Sequence, residues 1–169
     1  MNATLAAWNA ADEATALDAM IACCGARRWA AAMVAQRPFE TEEKLFASAD
    51  RIWSRMDVPD WMEAFACHPR IGERNAAHAT AKSKEWSQQE QSAAVDAGRG
   101  VLERLATGNA LYEDRFGFTY IVCATGKSAA EMLAILEQRL KSDRETELRE
   151  AAEQQRQIAQ IRLRKWLAE

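Results

Sequence analysis

Phe118-Thr119-Tyr120-Ile121-Val122-Cys123-Ala124 is the stretch on which the fold class turns. Most of its residues are β-branched or aromatic and it stands between Gly117 and Gly126, so its backbone reads as extended. A lone extended segment cannot make a sheet. It must lie against helices, with its N–H and C=O groups bonded to something other than a neighbouring strand. The chain is therefore expected to be all-α: one domain over residues 1–169, a bundle of about eight helices with a single extended segment.

Outward from that segment, helix-start signals recur. Ser128 with Glu131, and Ser142 with Glu145, have capping-box spacing and predict helices over 129–141 and 143–167. Ser87 with Glu90 has the same spacing and predicts a helix over 88–106, with a further short helix over 109–115. Towards the N-terminus, Asn9 is placed to cap a helix over 11–23. Its Ala14, Leu17, Met20, Ile21 and Cys24 repeat at helical spacing, and Gly25 ends it. A helix over 26–36 stops at Arg37-Pro38, because the residue before proline is pushed out of the helical region. Thr41 opens the next, through Leu45, Phe46, Ala49, Ile52, Trp53 and Met56, with Glu42 and Glu43 at the positive end of its dipole. Asp60 and Glu63 start a short helix whose Trp61, Met62, Phe65 and Ala66 run directly into His68-Pro69.

The bulk properties agree and exclude several function classes. Only seven Gly and three Pro interrupt a chain rich in Ala, Glu, Gln, Arg and Leu, which favours helix. A net charge of −3 offers no positive field for nucleic acid or an anionic membrane. No apolar run approaches the ~20 residues of a membrane span. The start, Met1-Asn2-Ala3-Thr4, lacks the pattern of a secretory signal, and the ending Trp166-Leu167-Ala168-Glu169 is no peroxisomal tripeptide, so a cytoplasmic protein is expected. Cys23, Cys24, Cys67 and Cys123 form no CxxC pair and read as reduced thiols packed as small hydrophobes. The six tryptophans read as core and interface residues. No G-x-S-x-G elbow, phosphate-binding glycine loop, dinucleotide fingerprint or H-E-x-x-H occurs. With two histidines and no paired ligand spacing, a metal site is disfavoured, and catalysis is expected to use side chains alone, without a cofactor.

Three places are candidates for chemistry. His68, in Cys67-His68-Pro69-Arg70-Ile71-Gly72, sits on a short stiff turn: the following proline restricts its backbone, and Gly72 lets the chain turn away. An imidazole so held suits proton transfer; a histidine satisfied by hydrogen bonds at the rim of the core is the alternative. His78, in the Ala- and Lys-rich stretch 75–84, reads as a surface-loop residue. Trp86-Ser87-Gln88-Gln89-Glu90-Gln91 is the second place. As a helix N-terminus it would offer amide hydrogens and positive potential to an anion, although simple capping is the first reading of Ser87 and Glu90 taken by themselves. The third is Arg162, which shares a helix face with Ile158 and Trp166 and must pair, reach water by snorkelling, or bind an anion.

Cys67-His68-Pro69-Arg70-Ile71-Gly72-Glu73, followed by Trp86-Ser87-Gln88-Gln89-Glu90-Gln91 and Phe116-Gly117-Phe118, resembles the OHCU decarboxylases, which act on 2-oxo-4-hydroxy-4-carboxy-5-ureidoimidazoline in urate breakdown. The likeness continues through Arg28-Trp29, Arg37-Pro38-Phe39, Asn109-Ala110-Leu111-Tyr112 and Ile161-Arg162-Leu163, and so covers nearly the whole chain in order. The resemblance implies an all-helical, cofactor-free, homodimeric enzyme that takes a small ureidoimidazoline and yields S-allantoin. It implies that His68 is catalytic with Glu90 as carboxylate partner. Substrate contacts are implied for Pro69, for Ser87, Gln88, Gln89 and Gln91, for Tyr120, Ile121, Val122, Cys123 and Ala124, and for Arg162. The chain departs from the family's common FGFPF at Phe118-Thr119-Tyr120, where a proline is lost and a hydroxyl gained. A hydrolase or isomerase of a related ureide using the same pair, and a helical adaptor without catalysis, are the rival readings.

Overall fold

The structure is a computed structural model, and it describes residues 2–73, 78–92 and 98–169. Among these the chain is all-α, with nine helices and no strand. It divides into two compact units, one formed by the residues up to Ala64 together with Arg156–Glu169, the other by Phe65–Gln155.

The first unit contains α1 (Ala3–Ala10), α2 (Glu13–Cys24), α3 (Arg27–Ala35), α4 (Glu42–Trp53), nearly all of α5 (Val58–Phe65) and the last part of α9 (Arg144–Leu167). Thr41 caps α4 and Gly25, in the left-handed region, ends α2, both as the sequence predicts. Asn9 does not cap α2. That role falls to Asp12, whose carboxylate accepts from the N–H and hydroxyl of Thr15. Asn9 belongs instead to α1, an additional helix, and its amide bonds both backbone groups of Phe39. Asp60 lies inside α5, which begins at Val58, and its Oδ2 reaches back to the Asp57 N–H while pairing with Arg28. The core is aromatic: Trp8 meets Trp166 edge-on, and Trp8 and Trp29 bury their rings while donating to the carbonyls of Ala16 and Ala49.

The second unit contains α6 (Ala81–Glu90), α7 (Arg99–Phe116), α8 (Ala129–Arg139) and the first part of α9. The expected short helix over 109–115 is the continuation of α7. Helix α7 packs on α8 at Gly108, where a Cβ would stand 2.6 Å from Leu136 Cδ2. Ser128 and Glu131 form the expected capping box of α8. For α9 the cap is Asp143 rather than Ser142: its two carboxylate oxygens take the N–H and hydroxyl of Thr146.

The helix predicted over 88–106 is not built that way. Thr80 caps α6 by accepting from the Ser83 N–H at 3.1 Å, and Ser87–Glu90 form the end of that helix, not the start of the next. Helix α7 begins after Gly98, and residues 93–97 of the predicted helix lie outside the described ones, as do residues 75–77 of the surface loop predicted over 75–84, whose residues 81–84 belong to α6 instead.

Residues 118–124 follow the left-handed Gly117 and form no regular element. Phe118 and Tyr120–Ala124 are buried nonetheless. Phe118 and Tyr120 join Phe65, Tyr112 and Phe116 in one aromatic cluster. Beneath it runs a buried ion pair. Arg139 Nε is 2.9 Å from Glu147 Oε2, Tyr112 donates its hydroxyl to the same oxygen, and Arg139 Nη1 donates to the Ile121 carbonyl at 2.5 Å. Burial pushes the Tyr112 and Tyr120 hydroxyls far above the usual phenol range, so both remain neutral donors.

Candidate active site

The turn after α5 is pinned residue by residue. The His68 N–H returns to the Phe65 carbonyl, and Pro69 is buried. Arg70 lays its guanidinium on Glu113 of α7, Nε to Oε1 at 2.8 Å and Nη2 to Oε2 at 2.5 Å, the two-pronged geometry that arginine and carboxylate share. Asn109 donates to the Ile71 carbonyl at 3.0 Å. Gly72 then turns at φ +92° and donates its N–H to Gln91 Oε1 at 3.0 Å. The imidazole itself is held by α9: His68 Nε2 is 2.7 Å from Oε1 of Gln155, a fully buried side chain.

Gly72→Ala tests how much the turn's backbone contributes. Among the described residues an added Cβ meets nothing within 4 Å, and the cost is that of a non-glycine residue at positive φ. We expect a loss of about 1–2 kcal/mol in urea denaturation followed by circular dichroism, because the strain acts without any clash.

The end of α6 faces this turn through the Gly72–Gln91 bond. Ser87, Glu90 and Gln91 are spaced to share one helix face; Ser87 is buried, and Glu90 and Gln91 are half-buried. Gln88 and Gln89 are exposed, the latter reaching Glu85 of its own helix at 3.5 Å. Because Ser87–Gln91 end a helix, free helical amides are not what this stretch offers. Its chemistry comes from its side chains.

The buried segment is held by side chains instead of a ladder. Gln154 Oε1 accepts the Cys123 N–H at 2.8 Å, while its own amide nitrogen donates to Glu150 at 2.9 Å. Lys127 Nζ donates to the Cys123 carbonyl at 2.8 Å, and Arg139 to that of Ile121. Tyr120 donates its hydroxyl to the Met132 carbonyl at 3.0 Å, so the extra hydroxyl is bound within the core. Adjacent residues of α9 thus hold the two parts: Gln155 the imidazole, Gln154 the segment.

The family model for OHCU decarboxylase matches residues 9–164. The chain belongs to the OHCU decarboxylase family. It is 35% identical over 144 residues to the uric acid degradation bifunctional protein TTL of Arabidopsis thaliana, a match covering 85% of this chain and 44% of that protein. The 2-oxo-4-hydroxy-4-carboxy-5-ureidoimidazoline decarboxylase of Amia calva is 29% identical over 134 residues, covering 79% of this chain and 77% of that one. A crystal structure of OHCU decarboxylase determined in the presence of (S)-allantoin superposes with a TM-score of 0.78 at 34% identity, covering 90% of this chain and 99% of the other.

With the OHCU decarboxylase family established, the motif residues can be located. The second unit contains His68, Pro69, Ser87–Gln91 and Tyr120–Ala124. Arg162 belongs to the first unit, where it is 1% exposed; snorkelling to water is ruled out by that burial. His78 is exposed and accepts a 3.5 Å contact from Cys67 Sγ through its carbonyl. All four cysteines are free thiols, and burial raises that of Cys23 beyond the range in which thiolate forms. Among the described residues no group of three or more His, Cys, Asp or Glu is arranged to hold a metal ion, and no helix is long and apolar enough to cross a membrane. Sequence reasoning missed Gln154 and Gln155. Two glutamines on a long charged helix carry no local signal of the partners they meet, Gln155 buried and Gln154 half-buried; a hint lay only in their place on α9, one turn before Ile158.

Proposed function

We propose that the protein converts 2-oxo-4-hydroxy-4-carboxy-5-ureidoimidazoline into S-allantoin and CO2, with His68 as proton carrier and Glu90 as its carboxylate partner. The observation that supports this most is the Gly72–Gln91 hydrogen bond, which ties the histidine turn to the helix end bearing Glu90.

The substrate carries its carboxylate on a carbon that also bears a hydroxyl and adjoins a C=N bond. When the C–CO2 bond breaks, its electron pair forms a carbon–carbon double bond, and the C=N pair moves onto nitrogen, which takes a proton. The resulting enol loses its hydroxyl proton as the ring carbonyl forms, and the adjacent carbon takes a proton on one face. One proton is consumed overall. The substrate supplies its own electron sink, so the protein's tasks are orientation and proton delivery. His68 delivers the proton, and Glu90 engages the substrate hydroxyl beside it. Pro69, Ser87, Gln91 and the backbone of residues 120–124 shape the ring site, with Gln88 and Gln89 at its outer margin. Arg162 is assigned an anionic oxygen on its match to the family pattern alone.

Freshly generated substrate provides the test. Accelerated CO2 release with the circular dichroism of S-allantoin is expected; a rate equal to the spontaneous one overturns the assignment. Turnover that survives exhaustive chelation fits the cofactor-free reading, whereas loss restored by zinc overturns it. A cytoplasmic location, with which the free thiols fit, and a homodimer, as the family resemblance implies, are part of the same proposal, checked by fractionation and sedimentation.

A further inference from the structure

We infer that Gln155 is the positioning residue of His68: it holds the ring through Nε2 so that Nδ1 is the nitrogen that exchanges the proton. This rests on the reading of His68 as the proton carrier.

Three observations carry it. Gln155 Oε1 is 2.7 Å from His68 Nε2, and an amide oxygen only accepts, so Nε2 bears the hydrogen. Gln155 is 0% exposed, so water does not compete for the ring nitrogen from its side. Its neighbour Gln154 fixes the Cys123 N–H, so one turn of a single helix sets the distance between the imidazole and the buried segment.

A neutral amide has a particular merit here. In the neutral ring with Nε2–H, the lone pair lies on Nδ1. When Nδ1 takes a proton, both nitrogens carry hydrogens, and Gln155 still accepts from Nε2 without rearranging. A carboxylate in its place would also hold the ring, but would favour the charged form and resist return of the proton. Gln155 therefore fixes orientation through the whole cycle while leaving the ring's charge free to change, which one-face protonation requires.

The chain has only two histidines, so selective ¹⁵N labelling isolates the His68 ring. In the full-length wild-type protein, the Nε2-bound proton of His68 is expected to be visible and slow to exchange with solvent. In Gln155→Leu, of similar volume, that proton is expected to exchange too fast to observe. Its kcat is expected to fall about 10–100-fold, less than the ~10²–10⁴-fold of losing the imidazole, with KM changed less than threefold. Gln155→Glu, which keeps the acceptor, is expected to restore the slow Nε2 proton. A wild-type ring protonated at Nδ1 alone, or a Gln155→Leu variant with unchanged kcat, overturns the inference; the wild-type spectrum decides even if that variant fails to fold. A slowly exchanging Nε2 proton in a protein whose His68→Ala variant keeps full turnover would instead overturn the catalytic reading of His68.

Discussion

His68→Ala is expected to lower kcat about 10²–10⁴-fold, the usual worth of a positioned acid–base group, which corresponds to about 3–5 kcal/mol of barrier. The fold should survive, because the turn is held by bonds in which the imidazole has no part. Arg70 stays on Glu113, Asn109 on the Ile71 carbonyl and Gly72 on Gln91. The truncation does remove the 2.7 Å bond to the buried Gln155 Oε1, so a small loss of stability, on the order of 1 kcal/mol, accompanies it. Steady-state turnover with unchanged far-ultraviolet circular dichroism is the measurement. Near wild-type kcat would remove the imidazole from the mechanism.

The second large effect is expected at Arg139. Replacing it by leucine leaves Glu147, 1% exposed, as a buried carboxylate without its cation, an error that costs about 3–5 kcal/mol. For a chain of this length that is a fall of roughly 10 °C in melting temperature. The same substitution removes the donor to the Ile121 carbonyl, so the segment loses an anchor as well. The double variant Arg139→Leu with Glu147→Leu separates the two consequences. Removing both charges is expected to recover most of the stability, because a buried pair replaced by apolar groups is often neutral. Activity is expected to stay low, because the Ile121 carbonyl still lacks its donor. Stability and turnover recovering together would show that the ion pair serves folding alone.

The fold class was legible because the features that carry it are local. A single β-like run among capping signals and Ala-rich periodicity leaves helices as the expected partner for that run, and its backbone is bonded to Arg139 of α8 and Gln154 of α9, besides Lys127 just beyond it. The histidine turn was legible for the same reason: Pro69 and Gly72 dictate it over a few residues. The end of α6 was misread because a Ser-x-x-Glu spacing occurs inside helices as readily as at their starts, and the true cap, Thr80, precedes a polar stretch without hydrophobic period. Asp12 and Asp143 displaced Asn9 and Ser142 because a carboxylate beside a threonine satisfies both the N–H and the hydroxyl. Gln154 and Gln155 were beyond reach, since their meaning lies in partners 31 and 87 residues away.

Residues 118–124 are fastened at separate points rather than along a ladder. In a sheet, a one-residue slip turns every side chain to the other face, so pairing partners are constrained together. Here each anchor is an individual side chain, on α8, on α9 or just beyond the segment. Such a wall can be retuned one substitution at a time. In laboratory selection for altered ring substrates, gains are therefore to be sought first at positions 127 and 154, before the segment's own residues.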